Sequence, residues 1–124
     1  MTNELTPSDC PFCRSNQLLK GPVLAESRGA YLMENVSFPG NYLIIPKLHV
    51  ESVVGLPDNW WQDVKELLSK IPGPLTDYNL SFNIGPAAGQ TVKHLHFWVI
   101  PRRADEPASG QGLITLINFR NKHA

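Results

Sequence analysis

Apolar residues recur along this chain in two rhythms. Near the start the runs are short. Val23-Leu24-Ala25-Glu26 and Ala30-Tyr31-Leu32-Met33 flank Ser27-Arg28-Gly29. A glycine that can take positive φ at little cost predicts a hairpin there. Phe38-Pro39-Gly40 marks a second turn, and Tyr42-Leu43-Ile44-Ile45 then reads as a buried strand closed by Pro46. The rhythm changes at Trp60. Trp60, Trp61, Val64, Leu67, Leu68 and Ile71 form one apolar stripe at helical period. This predicts a long helix with Asp58 or Asn59 as its cap and Pro72-Gly73-Pro74 as its stop. Leu80–Ile84 reads as a strand, Gly85–Thr91 as a glycine-bearing loop, and Val92–Ile100 as a long strand ended by Pro101. Beyond Gly110-Gln111-Gly112, an apolar tail through Leu113, Ile114, Leu116, Ile117 and Phe119 fits a short packed helix, although its periodicity does not decide the matter.

Strands that pair first, then one helix, then two more strands predict an α+β fold with an antiparallel sheet. No internal repeat or low-complexity segment interrupts the chain. Its 124 residues fit a single domain, 1–124, with an N-terminal arm (1–22) and a C-terminal extension (103–124). A hydrophobic content of 42% is ordinary for a globular protein and argues against disorder. The 11 basic and 11 acidic side chains balance to zero, without the basic excess expected of a nucleic-acid binder. Met1–Pro7 has neither the basic nor the apolar region of a secretory signal, and no apolar run approaches the roughly 20 residues of a membrane span. These features predict a soluble, cytoplasmic protein with no nucleic-acid or membrane partner.

The chemistry concentrates in two places. On a strand, residues two apart share a face, so His94, His96 and Trp98 point one way and Leu95, Phe97 and Val99 the other. The second set is a core face. The first carries two imidazoles directly after a loop with two glycines, where backbone amides can approach a phosphate closely. An imidazole at that edge can attack phosphorus or donate a proton. Spacing alone fits equally well a pair of ordinary sheet histidines facing water. The other place is Cys10-Pro11-Phe12-Cys13, whose two cysteines are the only ones present. With His49 and His94 they offer a closed tetrahedral set suited to structural zinc, although the spacing is not that of a zinc finger. Free thiols with a surface His49 are the alternative. A redox role fits less well, because no helix N-terminus follows to activate a thiol.

The segment Gly85-Pro86-Ala87-Ala88-Gly89-Gln90-Thr91-Val92-Lys93-His94-Leu95-His96-Phe97-Trp98-Val99-Ile100-Pro101-Arg102 resembles the signature of the histidine-triad (HIT) family. That signature is three histidines alternating with apolar residues, preceded by Gly-Gln-(Ser/Thr)-Val. The diadenosine polyphosphate hydrolase-like branch is the most similar. Leu43-Ile44-Ile45-Pro46-Lys47-Leu48-His49-Val50 resembles the family's strand ending in Ile-Pro-Lys-x-His. The likeness runs from about Cys10 to Arg102.

The resemblance implies a half-barrel antiparallel sheet with one helix, usually in a homodimer. It implies hydrolysis or transfer at the α-phosphate of a purine nucleotide, of the diadenosine polyphosphate or nucleoside phosphoramidate type. His96 would be the nucleophile and would form a nucleotidyl-histidine, and the carbonyl of His94 would fix its tautomer. Gln90 and Thr91 would stabilise developing charge together with the amides around Gly89 and Val92, and Asn83 would add a polar contact. It also implies zinc through Cys10, Cys13, His49 and His94, as in some bacterial members of the family. Two positions depart from the pattern. Trp98 stands where the third histidine belongs, and tryptophan cannot shuttle a proton. The ribose-gripping aspartate falls at Met33, with Glu34 and Asn35 adjacent and Glu34, one residue along, as the candidate substitute. These departures motivate an alternative function, a non-catalytic zinc-stabilised nucleotide sensor or scaffold.

Overall fold

The computed structural model describes residues 7–112, so the tail from Leu113 lies outside the described residues. Five strands form one open antiparallel sheet: β1 (Val23–Glu26), β2 (Ala30–Glu34), β3 (Tyr42–Pro46), β4 (Asp77–Phe82) and β5 (Phe97–Arg102), in the order β1-β2-β3-β5-β4. Among the described residues one α-helix, α1 (Trp60–Leu68), lies between β3 and β4 in sequence. The last strand thus inserts between β3 and β4, which puts the segment leading into β5 near the middle of the sheet. No helix among the described residues is long and apolar enough to cross a membrane.

The sheet is buried on both faces at its centre, which is why β2 and β3 read as unbroken apolar runs rather than as an alternation. Ala30, Leu32, Ile44, Phe97 and Val99 face Trp60, Val64, Leu67 and Ile71. On the opposite face Tyr31, Met33, Leu43 and Ile45 meet Phe12 and Leu19 from the N-terminal arm, together with Trp98. The first face is the structural core. The second carries the candidate site.

Several sequence expectations shift. The hairpin forms, but Gly29 is not among the positive-φ residues. Its role is steric and polar: its amide donates to Asp63 Oδ1 at 3.1 Å, and a Cβ there would lie 2.8 Å from Asp63 Oδ2. The turn is thereby tied to α1. The helix is shorter than its stripe predicts. It ends at Leu68, because Lys70 and Ile71 donate three residues back, to Leu67 and Leu68, and a residue ahead of proline avoids the α conformation. Ile71 is still buried. Asn59 occupies the cap position without making a side-chain bond. Trp61 leaves the stripe and is exposed, touching Phe97 edge-on. The strand expected over Leu80–Ile84 begins earlier, at Asp77, and ends at Phe82.

The largest difference concerns β5, which starts at Phe97 rather than Val92. Its register with β3 sets Ile44 against Phe97, and its continuation would bring Pro46 opposite Leu95. Proline has no N–H for the ladder. The chain before Phe97 peels away from the sheet, and Leu95 donates instead to the Val50 carbonyl at 2.7 Å. His94 and His96 are therefore presented by an irregular segment at the strand's start. The alternation of faces nevertheless persists, with Leu95, Phe97 and Val99 all buried.

The arm is fastened to the sheet by Tyr31, whose hydroxyl donates to the Phe12 carbonyl at 2.5 Å. Burial of that phenol pushes its pKa above the ordinary tyrosine value. Tyr31→Phe should lower stability by about 1–2 kcal/mol in urea denaturation, because a buried carbonyl loses its donor.

Candidate active site and metal centre

Two 3-10 turns and a proline shape the site. The loop after β4 contains Gly85 at φ 89° and Gly89 at φ 93°, bracketing the turn Pro86–Ala88. Both dihedrals favour glycine. Gln90 closes this loop: its Oε1 accepts from the Gly85 amide at 2.8 Å and its Nε2 donates to the Glu51 carbonyl at 3.1 Å. The chain then turns through Thr91 and Val92 to His94.

His94 is fully buried. Its Nε2 donates to the Pro46 carbonyl at 2.7 Å, the acceptor left free where the ladder stops. That bond fixes the neutral tautomer and leaves Nδ1 with its lone pair. Nδ1 lies 3.4 Å from Cys10 Sγ, 3.5 Å from Cys13 Sγ and 3.2 Å from His49 Nδ1. Cys13 Sγ is 3.2 Å from His49 Nδ1. All four ligand atoms fall within 4.8 Å of one another. Bonds of about 2.3 Å to sulfur and about 2.0 Å to nitrogen around a tetrahedral ion would set neighbouring ligands about 3.3–3.8 Å apart. The observed separations fit that arrangement.

Burial also sets the protonation of these groups. Burial pushes Cys13 up to about 12, with the hydrogen bond and charge of Cys10 adding to it. Burial pushes His94 down to about 4, against the pull of the Pro46 carbonyl and with His49 and His96 adding to it. Such groups are poorly placed to carry separate charges in an apolar setting. A divalent ion replaces the thiol protons and neutralises the thiolates. The turn Arg14–Asn16 closes the knuckle, with Asn16 donating through Nδ2 to the Pro7 and Cys10 carbonyls at 2.7 and 2.9 Å.

His96 accompanies this centre on the side of the arm. Its Nδ1 donates to the His94 carbonyl at 2.9 Å, which leaves Nε2 as the free ring nitrogen. Burial lowers its pKa below the ordinary histidine value, opposed by that carbonyl. The Phe12 ring stands edge-on to both imidazoles, at centroid distances of 6.1 Å from His94 and 5.1 Å from His96. His96 lines a cavity of about 230 Å³ between the arm and the sheet. Phe12, Leu19, Met33 and Trp98 make much of its apolar wall, and Lys20, Asn35, Ser37 and Thr91 bring polar groups to it.

The residues singled out in the sequence divide accordingly. Cys10, Cys13, His49 and His94 converge in one cluster. His96, Trp98, Thr91 and Val92 line the cavity, whereas Asn83, Gly89, Gln90 and Glu34 do not. Asn83 lies close to Gly89, its Nδ2 3.9 Å from where a Cβ would stand on that glycine. Glu34 ends β2 with its carboxylate accepting from the Gly40 amide at 2.8 Å. Met33 pairs with Leu43 and Glu34 with Tyr42, so alternation sends Met33 and Asn35 to the cavity and Glu34 away from it. Sequence reasoning missed Phe12 and Lys20 as cavity residues and preferred Glu34 to its neighbour Asn35. Phe12 could have been found from its place between the two cysteines, but the path of the arm over the sheet has no signature in sequence.

A HIT domain model matches residues 25–105, well over half of the chain. A HIT-like protein of Methanocaldococcus jannaschii is 36% identical over 103 residues, covering 75% of this chain and 78% of that one. The adenosine 5'-monophosphoramidase of Schizosaccharomyces pombe is 34% identical over 112 residues, covering 83% and 81%. A zinc-bound histidine-triad family protein from Mycobacterium smegmatis superposes with a TM-score of 0.67 at 24% identity, over 84% of this chain and 83% of that chain. The chain belongs to the HIT, or histidine-triad, family, and its open five-stranded antiparallel sheet with one helix is the fold of its structural neighbours.

The four-ligand cluster should hold one metal ion per chain by elemental analysis. Stripping it with a chelator should lower the thermal midpoint by at least about 5 °C, as removal of a ligand specific to the folded state does. Cys13→Ser should abolish that response, whereas metal-free protein with an unchanged midpoint would exclude a metal centre.

Proposed function

We propose that this protein is a nucleotide hydrolase or nucleotidyl transferase that acts at the α-phosphorus of a purine nucleotide, with His96 as nucleophile. The observation that carries the reading is the pinned His96 ring: Nδ1–H is committed to the His94 carbonyl at 2.9 Å, and the ring lines a cavity of about 230 Å³. A neutral imidazole held in one tautomer attacks with its other nitrogen at no cost of reorganisation. The relatives' names support nucleotide chemistry, one of them being a monophosphoramidase.

In this reading Nε2 forms a bond to the α-phosphorus and the bond to the leaving group breaks, its electron pair departing with that group. The result is a nucleotidyl-histidine whose ring charge is stabilised by the His94 carbonyl. Water then attacks phosphorus, the N–P electron pair returns to the ring, and the water proton passes to solvent. Amides around Thr91 and Val92 carry the developing charge on phosphate oxygen, while Gln90 holds their loop in shape from outside the cavity. The base lies against the apolar wall, and Asn35 takes the place beside the ribose where Glu34 was expected. Phosphoramidates and diadenosine polyphosphates are both substrates of the right type.

The metal in this reading is zinc, and Cys10, Cys13, His49 and His94 would hold it. A closed set of four protein ligands has no open position for water, so zinc supplies stability and no step of the reaction. A homodimer and a cytoplasmic setting complete the proposal.

Intact mass spectrometry after mixing with adenosine phosphoramidate or with a diadenosine polyphosphate tests it. Wild type should show a transient adenylyl adduct and release AMP, and His96→Ala should show neither. Nucleotide binding without adduct or AMP would instead support a zinc-stabilised nucleotide sensor.

A further inference from the structure

A histidine triad in this chain has only two histidines, and the third position is filled by a residue of different chemistry. Trp98 lies on β5 two residues beyond His96 and lines the same cavity. Its indole nitrogen is buried and has no acceptor among the described residues. The Phe38 ring lies against it at a centroid distance of 6.0 Å. An indole N–H donates a hydrogen bond but does not release its proton. Among the described residues lining the cavity, Lys20 is the one lysine, arginine or carboxylate side chain. The wall beside the nucleophile thus offers an ammonium group suited to an oxyanion and, at position 98, an enclosed indole that has no proton to give.

Resting on the hydrolase reading above, we propose that Trp98 sets the leaving group, selecting mixed anhydrides of the nucleotide over phosphoramidates. The two differ in what must happen when the bond to phosphorus breaks. In a nucleotidyl sulfate or phosphate anhydride, Nε2 of His96 bonds to phosphorus and the bridging P–O bond breaks. The electron pair leaves on a sulfate or phosphate oxygen that is stable as an anion, and no proton moves. Lys20, on the same wall, is the cation available to that oxygen. In a phosphoramidate the P–N pair leaves on nitrogen, which has to take up a proton to depart. The attacking Nε2 has none to give, Nδ1–H is held by the His94 carbonyl, and the indole keeps its own. A histidine at position 98 would supply that proton.

Steady-state kinetics of the full zinc-loaded chain decides this, with adenylyl sulfate and adenosine phosphoramidate as the two substrates. Wild type should favour adenylyl sulfate by at least about 100-fold in kcat/KM, the scale of one missing general acid. Trp98→His should narrow that ratio about tenfold or more by raising phosphoramidate kcat. Trp98→Phe, which has no proton to give either, should leave it unchanged. The wild-type ratio needs no variant, and thermal melts show whether each variant folds. Comparable wild-type turnover of both substrates would overturn the proposal while leaving the hydrolase reading intact. So would phosphoramidate turnover that disappears in Lys20→Met, since the ammonium would then be the proton donor. A ratio unmoved in folded Trp98→His also overturns it. Release of AMP from neither substrate overturns both readings together.

Discussion

One side chain and its backbone join the parts of this molecule that act together. His94 is fully buried, and each of its polar groups on the site side is engaged. Nε2 donates to the Pro46 carbonyl, Nδ1 faces two thiols and a second imidazole, and its carbonyl accepts from His96. The end of β3, the N-terminal arm and the free imidazole are thus placed relative to one residue. Moving that ring disturbs all three, because a buried polar group that loses a partner has no water to replace it.

Division of labour between the two sheet faces explains how such a polar centre is tolerated in a small domain. The helix-side face is apolar throughout, with Leu32, Ile44, Leu67 and Val99 fully enclosed. Hydrophobic burial there provides a stable platform. The arm-side face can then hold paired thiols, imidazoles and a cavity. Supporting contacts fix the orientation of the site: Tyr31 fastens Phe12, and Phe12 bears on both histidine rings. The His96 ring is held by packing and by its hydrogen bond to the His94 carbonyl, as a preorganised site would require.

Much of this was legible in the sequence, for identifiable reasons. The strands at Val23–Glu26, Ala30–Glu34 and Tyr42–Pro46 declare themselves through apolar runs bounded by turn residues, and the helix through its stripe. The candidate metal cluster is readable because cysteine pairs and histidines carry a chemistry that few other patterns share. What escaped reading was set by tertiary contact. The late start of β5 follows from where its register with β3 would carry Pro46, opposite Leu95, residues far apart in the chain. Gly29 looked like a turn glycine, but it is needed for its approach to Asp63. Glu34 and Asn35 are adjacent in sequence, and only the register of β2 on β3 decides which of them meets the cavity. Lys20 and Phe12 reach the site through the course of an irregular arm, which no periodicity encodes.

The cavity's two walls also differ in how they are held. One wall is sheet, integrated into a hydrogen-bonded ladder and backed by the core. The other is the arm, whose backbone bonds among the described residues are local turns such as Asn16 to Cys13 and Gln17 to Arg14. It is fastened to the sheet side by the Tyr31 hydroxyl, by apolar contact and by the cysteines. A segment of this kind can detach by local opening, at a free energy well below that of global unfolding. Opening on that side would leave β5 and its ladder intact, so the two walls answer to different parts of the fold.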